Sequence, residues 1–153
     1  MPYAPTGASA EAALRLVLDT NVVLSALLWR GSPHLVFQAA RQQERLRLFT
    51  STVLLEELAE VLIRPSPSKR LTLIGRTARE VLADYLETVE LVTPIATPSV
   101  IAADADDDHV IAAAVAAEAD LIVSGDRHLL DLGSHRAIRI LTPADALAII
   151  LSP

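Results

Sequence analysis

Short apolar runs alternate along the chain with longer stretches in which apolar residues recur every three or four positions. The short runs have strand length, and the longer stretches have the period of amphipathic helices. The pattern predicts strands at 14–18, 46–49, 90–92, 120–123 and 138–141. It predicts helices at 22–29, 33–43, 53–63, 76–87, 107–118 and 144–151.

This alternation indicates the fold class. Strands that alternate with helices favour right-handed crossovers and a parallel sheet covered on both faces. We therefore expect an α/β protein, a three-layer α/β/α sandwich with a central, mostly parallel sheet of about five strands. Residues 13–153 are expected to form a single domain, and the patternless, proline-containing residues 1–12 a loose tail.

Composition excludes several classes of protein. Hydrophobic residues make up 52% of the 153 positions, which is too many for a disordered chain, and aromatic residues only 3%. Cysteine is absent, so disulfides, thiolate catalysis and Cys-zinc sites are excluded. The apolar runs are shorter than the roughly 20 residues of a membrane span. The amino terminus shows no secretory pattern, and we expect a cytoplasmic protein.

Charge is unevenly distributed along the chain. The formal net charge is −6, but residues 1–82 contribute +3 and residues 83–153 contribute −9. An acidic centre can therefore coexist with a basic surface. The densest basic stretch is a candidate RNA path, although solvated helix faces are the simpler explanation. It contains Arg64, Lys69, Arg70, Arg76 and Arg79.

Two aspartates lie where sites form in parallel α/β sheets, beyond the carboxyl ends of strands. Asp19 ends the first predicted strand, and Asp126 follows the strand of the LIVSG sequence. Aspartate is also common at such positions as a turn or helix N-cap residue. The two positions are therefore candidates that need partners from other elements.

Helical geometry selects further carboxylates. At 100° per residue, Glu57 falls about 100° from Leu58, on the flank of the buried face of its helix. In the run 104–108, which holds four aspartates, Asp107 and Asp108 both fall near the sheet-facing side of the following helix. A solvated loop with one capping aspartate is the simpler alternative for that run.

Such a group of carboxylates in one cleft has a specific chemistry. Asp19, Glu57, Asp126 and one of Asp107 and Asp108 come from four separate elements. Mg²⁺ and Mn²⁺ prefer oxygen ligands. Sites in which carboxylates hold these ions commonly catalyse the hydrolysis of phosphodiesters. The sequence therefore predicts a divalent-metal site.

Four segments resemble the PIN-domain ribonucleases, and within them the toxin components of toxin–antitoxin pairs. They are LVLDTNVVLSALL (16–28), TSTVLLEELAEVLIRP (50–65), DADDDHVIAAAVAAEADLIVSGDRHLL (104–130) and ILTPADAL (140–147). The first and third segments are the specific ones.

The resemblance implies a fold, an activity and a site. It implies a usually dimeric α/β/α protein that cleaves RNA with one or two Mg²⁺ or Mn²⁺ ions and is restrained by an antitoxin protein. The implied catalytic and metal-binding residues are Asp19, Glu57, Asp108 and Asp126. Asn21 matches a polar partner of the first acid and Ser124 a hydroxyl before the fourth. Asp107 is an extra acid that remains an alternative third ligand. Apart from the resemblance, Thr20 is a candidate either for a donor to a carboxylate or phosphate or for a backbone cap.

Other functions fit less well. A receiver-like phosphoacceptor needs a paired acid after the first strand and a late lysine, but the only lysine is Lys69. The phosphate-binding loop of nucleotide-binding proteins is absent. A PIN-like scaffold that binds RNA or a partner without cleavage remains the alternative. Trp29 and Phe37 are expected to pack in a helix pair or a dimer contact rather than to stack on bases. His128, near Asp126, is a candidate for contact with the substrate, but a loop histidine without a role is the simpler expectation.

Overall fold

The structure is a computed structural model that describes residues 13–95 and 105–152. The expected tail, residues 1–12, and Asp104 of the acidic run lie outside these residues. Within the two ranges, no helix combines the length and the apolar character that crossing a bilayer requires.

One six-stranded sheet organises the chain, and five of its strands are parallel. The strands are β1 (Leu14–Leu18), β2 (Leu46–Thr50), β3 (Val89–Leu91), β4 (Leu121–Val123), β5 (Ser134–His135) and β6 (Ile138–Leu141). Their order is β3-β2-β1-β4-β6-β5, and only the β5–β6 pair is antiparallel. The predicted mostly parallel sheet is confirmed, with the two-residue β5 as an additional edge strand.

Eight helices occur among the described residues. They are α1 (Thr20–Leu28), α2 (Ser32–Gln42), α3 (Thr52–Leu62), α4 (Pro65–Ile74), α5 (Ala78–Thr88), α6 (Ala105–Ala116), α7 (Arg127–Leu132) and α8 (Pro143–Leu151). Two of these were not predicted. No helix was predicted for residues 65–74, but Pro65 occupies the first turn of α4, where a missing N–H carries no penalty. Residues 127–132, which form α7, were also not predicted to be helical.

Apolar side chains form a core on each face of the sheet. Alternate residues of β1 point to opposite faces: Leu16 and Leu18 pack with α1, α2, α3, α5 and α8, and Val17 packs with α6 and α7. Both faces are therefore covered, and the three-layer α/β/α architecture is confirmed.

Phe37 is buried, with its ring centroid 6.1 Å from that of Tyr85, so its expected packing role is confirmed.

Candidate active site

The register of the two central strands brings the first two site residues together. Leu18 of β1 pairs with Val123 of β4, so Asp19 and Ser124 follow neighbouring strands at one edge of the sheet. The Asp19 N–H donates to the Val123 carbonyl at 3.0 Å. Asp19 is also the N-cap of α1, and its Oδ1 accepts from the Asn21 N–H at 3.3 Å. The capping role and the site position therefore coexist in one residue.

Ser124 links the aspartates that follow the two strands. Its hydroxyl donates to Asp19 Oδ2 at 2.6 Å and accepts from the Asp126 N–H at 2.9 Å. Asp126 in turn caps α7, because its Oδ1 accepts from the His128 N–H at 2.7 Å. Ser124 is fully buried, so both bonds form out of contact with solvent. The Ser124 side chain thereby holds the Asp19 carboxylate and the Asp126 backbone close to each other.

Glu57 reaches the same place from α3. This helix begins at the N-cap Ser51, whose side chain accepts from the Leu54 N–H at 3.3 Å. Glu57 lies about one and a half turns into the helix, half-buried, and its Oε1 accepts from the Thr20 hydroxyl at 2.5 Å. The flanking position given by the helical wheel is therefore sufficient for Glu57 to reach the residue next to Asp19.

The first turn of α6 supplies the remaining acids. Asp107 is 4% exposed and Asp108 is 7% exposed, and both are buried in the structure. Asp107 lines the same cleft as Asp19, as does the exposed Asp106. Asp108 is not among the described residues that line it. Of the two alternatives left open by the sequence, Asp107 is therefore the one that faces the other acids.

These side chains border one cleft of about 220 Å³. Its lining residues come from the two strand ends and from α1, α3, α6 and the start of α4. They are Asp19, Thr20, Asn21, Glu57, Val61, Arg64, Asp106, Asp107, Val110 and Asp126. The cleft thus gathers five carboxylates and, among the described residues, a single cation.

The electrostatics of the cleft oppose ionisation of Asp19 and Glu57. Burial raises the pKa of Asp19, the nearby charge of Asp126 adds to this, and the hydrogen bonds from Ser124 and Asn21 work in the opposite direction. Burial also raises the pKa of Glu57, as do the charges of Asp106 and Asp19, against the hydrogen bond from Thr20. A bound divalent cation would offset this repulsion, and the carboxylates therefore fit such an ion.

One group of possible metal ligands includes a residue to which the sequence analysis gave no metal-binding role. One ligand atom each from Asp107, Asp126 and His128 lie within 4.8 Å of one another. His128 Nδ1 is also 3.6 Å from Asp126 Oδ1. The signal in the sequence was the two-residue spacing of His128 from Asp126 across the start of α7. Asp106 was not predicted to line the cleft, because nothing in the sequence distinguishes it from the other aspartates of the run 104–108.

A larger cavity of about 470 Å³ lies elsewhere, beside Ala112, Val115 and His135. Glu118 is its only carboxylate among the described lining residues, so it offers no cluster of oxygen ligands. The acidic cleft is therefore the better candidate for chemistry, although it is the smaller space.

Comparison with known protein families identifies a matching family model. A family model described as PIN domain matches residues 15–128, which include β1 through the first residues of α7 and all the cleft acids. No match was found among curated proteins.

Proposed function

This chain belongs to the PIN-domain family, and we propose that it is a metal-dependent endoribonuclease that hydrolyses RNA phosphodiester bonds. Members of the family are typically nucleases, and they usually use divalent metals. The choice of RNA as substrate, and of Mg²⁺ or Mn²⁺ as the ion, rests on the resemblance of the acidic segments and on the chemistry of the cleft.

One observation carries the proposal. Carboxylates from four elements, Asp19, Glu57, Asp107 and Asp126, line one cleft at the carboxyl ends of parallel strands. Such a group is costly to keep ionised without a cation, because burial and the charges of neighbouring carboxylates raise the pKa of Asp19 and of Glu57. Oxygen ligands of this kind suit Mg²⁺ and Mn²⁺.

The residues of the cleft have distinct roles in this mechanism. Asp19, Asp107 and Asp126 would hold one or two ions, with Glu57 as a further ligand or a base toward the attacking water. Mg²⁺ or Mn²⁺, when bound, lowers the pKa of water and neutralises the charge that develops on the phosphate. Ser124 and Thr20 orient the carboxylates, since each donates a hydrogen bond to one of them.

The third acid requires a choice between neighbours. The resemblance implies Asp108, but Asp107 is the residue that lines the cleft. We therefore assign the third ligand position to Asp107 and keep Asp108 as the alternative. Single substitutions at the two positions separate them, because each Asp→Asn change removes a charge with little change in volume.

The test is cleavage of a panel of structured and single-stranded RNAs by purified protein in Mn²⁺, in Mg²⁺ and in EDTA. Asp19→Asn is the site variant, and Asp131→Asn, an exposed acid on α7, is the matched control. We expect metal-dependent cuts that EDTA and Asp19→Asn abolish and Asp131→Asn retains. Folded protein that binds RNA but never cuts it would instead support the scaffold alternative.

The family resemblance also supports a proposal about the role of the protein in the cell. On that basis we propose a toxin of a toxin–antitoxin pair, restrained by an antitoxin protein and acting as a homodimer in the cytoplasm. A test is growth arrest when the chain is expressed alone, relieved by Asp19→Asn. Growth unaffected by an active nuclease would contradict the toxin role and leave the nuclease proposal in place.

A further inference from the structure

Trp29 is the only tryptophan of the chain and is partly exposed at the end of α1. The residue is 41% exposed, although the sequence indicated a packing role for it. The Arg70 guanidinium lies 5.5 Å from the centre of the indole ring, within the range of a cation–π contact. Arg70 Nε also donates to the Leu28 carbonyl at 2.8 Å, which fixes the cation beside the ring. The pair forms a preorganised, partly solvated aromatic surface.

Two helices connect this surface to the acidic cleft. α1 begins at Thr20, which lines the cleft, and ends beside Trp29. α4 follows Arg64, which also lines the cleft, and carries Arg70 to the end of α1. Both helices therefore lead from the cleft to Trp29. The nine residues of α1 correspond to a length of about 14 Å.

The charge along these helices suits a polyanion. α1 has no charged residue and is followed by Arg30, and residues 61–76, which include α4, contain four basic residues and no acidic one, in a chain of net charge −6. Arg64 pairs with Glu60 at 3.1 Å, but both side chains are more than half exposed. Such an exposed ion pair contributes little to stability. A phosphate of the RNA can therefore replace the Glu60 carboxylate as the partner of Arg64 with little loss of free energy.

We infer that the surface formed by Arg64, Arg70 and Trp29, the α1–α4 track, binds single-stranded RNA next to the cleavage site. Trp29 stacks on one base, and the basic residues contact phosphates. Aromatic stacking on unpaired bases combined with a basic groove is the usual way in which proteins hold single strands. At about 3.4 Å per stacked nucleotide, Trp29 is about four nucleotides from the cleft. This inference rests on the proposed function, since it names the form of RNA that the cleft receives.

The single tryptophan makes the contact directly measurable. Full-length protein carrying Asp19→Asn, which leaves the strand uncut, is titrated with single-stranded RNA of two and of ten nucleotides in Mg²⁺. We expect saturable quenching of Trp29 fluorescence by the ten-nucleotide strand and none by the dinucleotide at the same concentration, because only the longer strand reaches from the cleft to the indole.

Matched substitutions separate stacking from packing. In the same background, Trp29→Leu is expected to weaken binding of the ten-nucleotide strand about tenfold, and Trp29→Phe, which keeps an aromatic face, by less than about threefold. Arg64→Gln is expected to remove about one phosphate contact and so to lower the salt dependence of binding. Arg136→Gln, at an exposed position between β5 and β6, is expected to leave it unchanged. Thermal unfolding of each variant controls for folding. Strands that each carry one abasic nucleotide at a different position should locate the stacked base. At one position only, Trp29→Leu should no longer weaken binding, because the base that stacks on Trp29 is missing.

The outcomes distinguish this inference from the proposed function. Cleavage that depends on Asp19, with no quenching and equal binding by Trp29→Leu, would overturn the track and leave the nuclease intact. Absence of both cleavage and strand binding for every RNA would overturn both. A Trp29→Leu variant that changes self-association but not RNA affinity would assign the surface to a second copy of the chain instead.

Discussion

The Ser124 hydroxyl donates to Asp19 Oδ2 at 2.6 Å and at the same time accepts from the Asp126 N–H at 2.9 Å. One fully buried side chain thereby fixes the two aspartates that follow β1 and β4. The parallel register of these strands brings the pair together, and Ser124 sets its orientation. In proteins that bind metals, loss of a hydrogen bond to a ligand side chain typically lowers metal affinity or activity about 10- to 100-fold.

Replacing Ser124 with alanine should therefore impair the site more than the fold. We expect Ser124→Ala to lower the cleavage rate about 10- to 100-fold, as loss of an orienting partner does. The free energy of unfolding should fall by about 1–3 kcal/mol, because a buried carboxylate loses a donor. Cleavage assays and denaturant unfolding measure the two effects. Unchanged cleavage in Ser124→Ala would show that the bond does not orient Asp19.

The bond from Thr20 to Glu57 gives a second prediction with its own control. Thr20→Val removes the hydroxyl and keeps the shape, and we expect cleavage to fall about 10- to 100-fold. Thr20→Ser keeps the hydroxyl and should stay within about threefold of the parent. Single-turnover cleavage of the same RNA measures both. Equal rates for the valine and serine variants would mean that the hydroxyl is not required.

Asp19 should destabilise the protein when no metal is bound. Burial raises its pKa in the folded state, so folding favours its neutral form, and stability falls as pH rises through that raised value. In EDTA at pH 7, Asp19→Asn should therefore melt at a higher temperature than the parent. Added Mn²⁺ at about 100 times its Kd should stabilise the parent by about 2.7 kcal/mol and the variant far less. A variant less stable than the parent in EDTA would contradict this electrostatic explanation.

The two neighbouring aspartates of α6 should differ in their effect. Asp107→Asn is expected to reduce cleavage at least 100-fold, and Asp108→Asn less than about tenfold, because only Asp107 lines the cleft. Both residues are buried, so thermal unfolding is measured beside the cleavage rate. If Asp108→Asn is the more damaging change in a folded protein, the third ligand is Asp108, as the family resemblance implies.

Tyr85 provides a prediction away from the site. Its burial raises the pKa to about 12, against an opposing hydrogen bond with Thr50. The unfolded tyrosine ionises near pH 10, so stability should fall by about 1.4 kcal/mol per pH unit between pH 10 and 12. Tyr85→Phe should lack this part of the decline. Unfolding measured at pH 9, 10 and 11 compares the two proteins, and identical slopes would show that Tyr85 ionises normally.

The fold was predictable because hydrophobic periodicity specifies its elements. Strand 14–18, for example, is apolar apart from Arg15, and the structure buries Leu16, Val17 and Leu18 on the two faces of the sheet. Pro65 shows the limit of such reasoning, because a proline ends one helix and begins the next with equal ease. The two-residue β5 exists through its pairing with β6, which no local pattern indicates.

The site was less predictable than the fold. Asp19 and Asp126 follow strands, so sheet topology alone places them at one edge. The orientation of α6 depends on packing of Val110 and Ile111 against the sheet, and an error of one residue exchanges Asp107 for Asp108. His128 was expected to be a loop histidine without a role, because its two-residue spacing from Asp126 does not by itself show that α7 begins there and brings the two side chains together.

A calorimetric Mn²⁺ titration of metal-free protein tests the acidic cleft most directly. The parent and Asp131→Asn should bind one or two ions, and Asp19→Asn, still folded, should bind more weakly by a factor of ten or more. RNA cleavage followed along the same titration should rise with occupancy. Failure of the folded parent to bind Mn²⁺, or binding that Asp19→Asn leaves unchanged, would contradict a metal-dependent nuclease centred on this cleft.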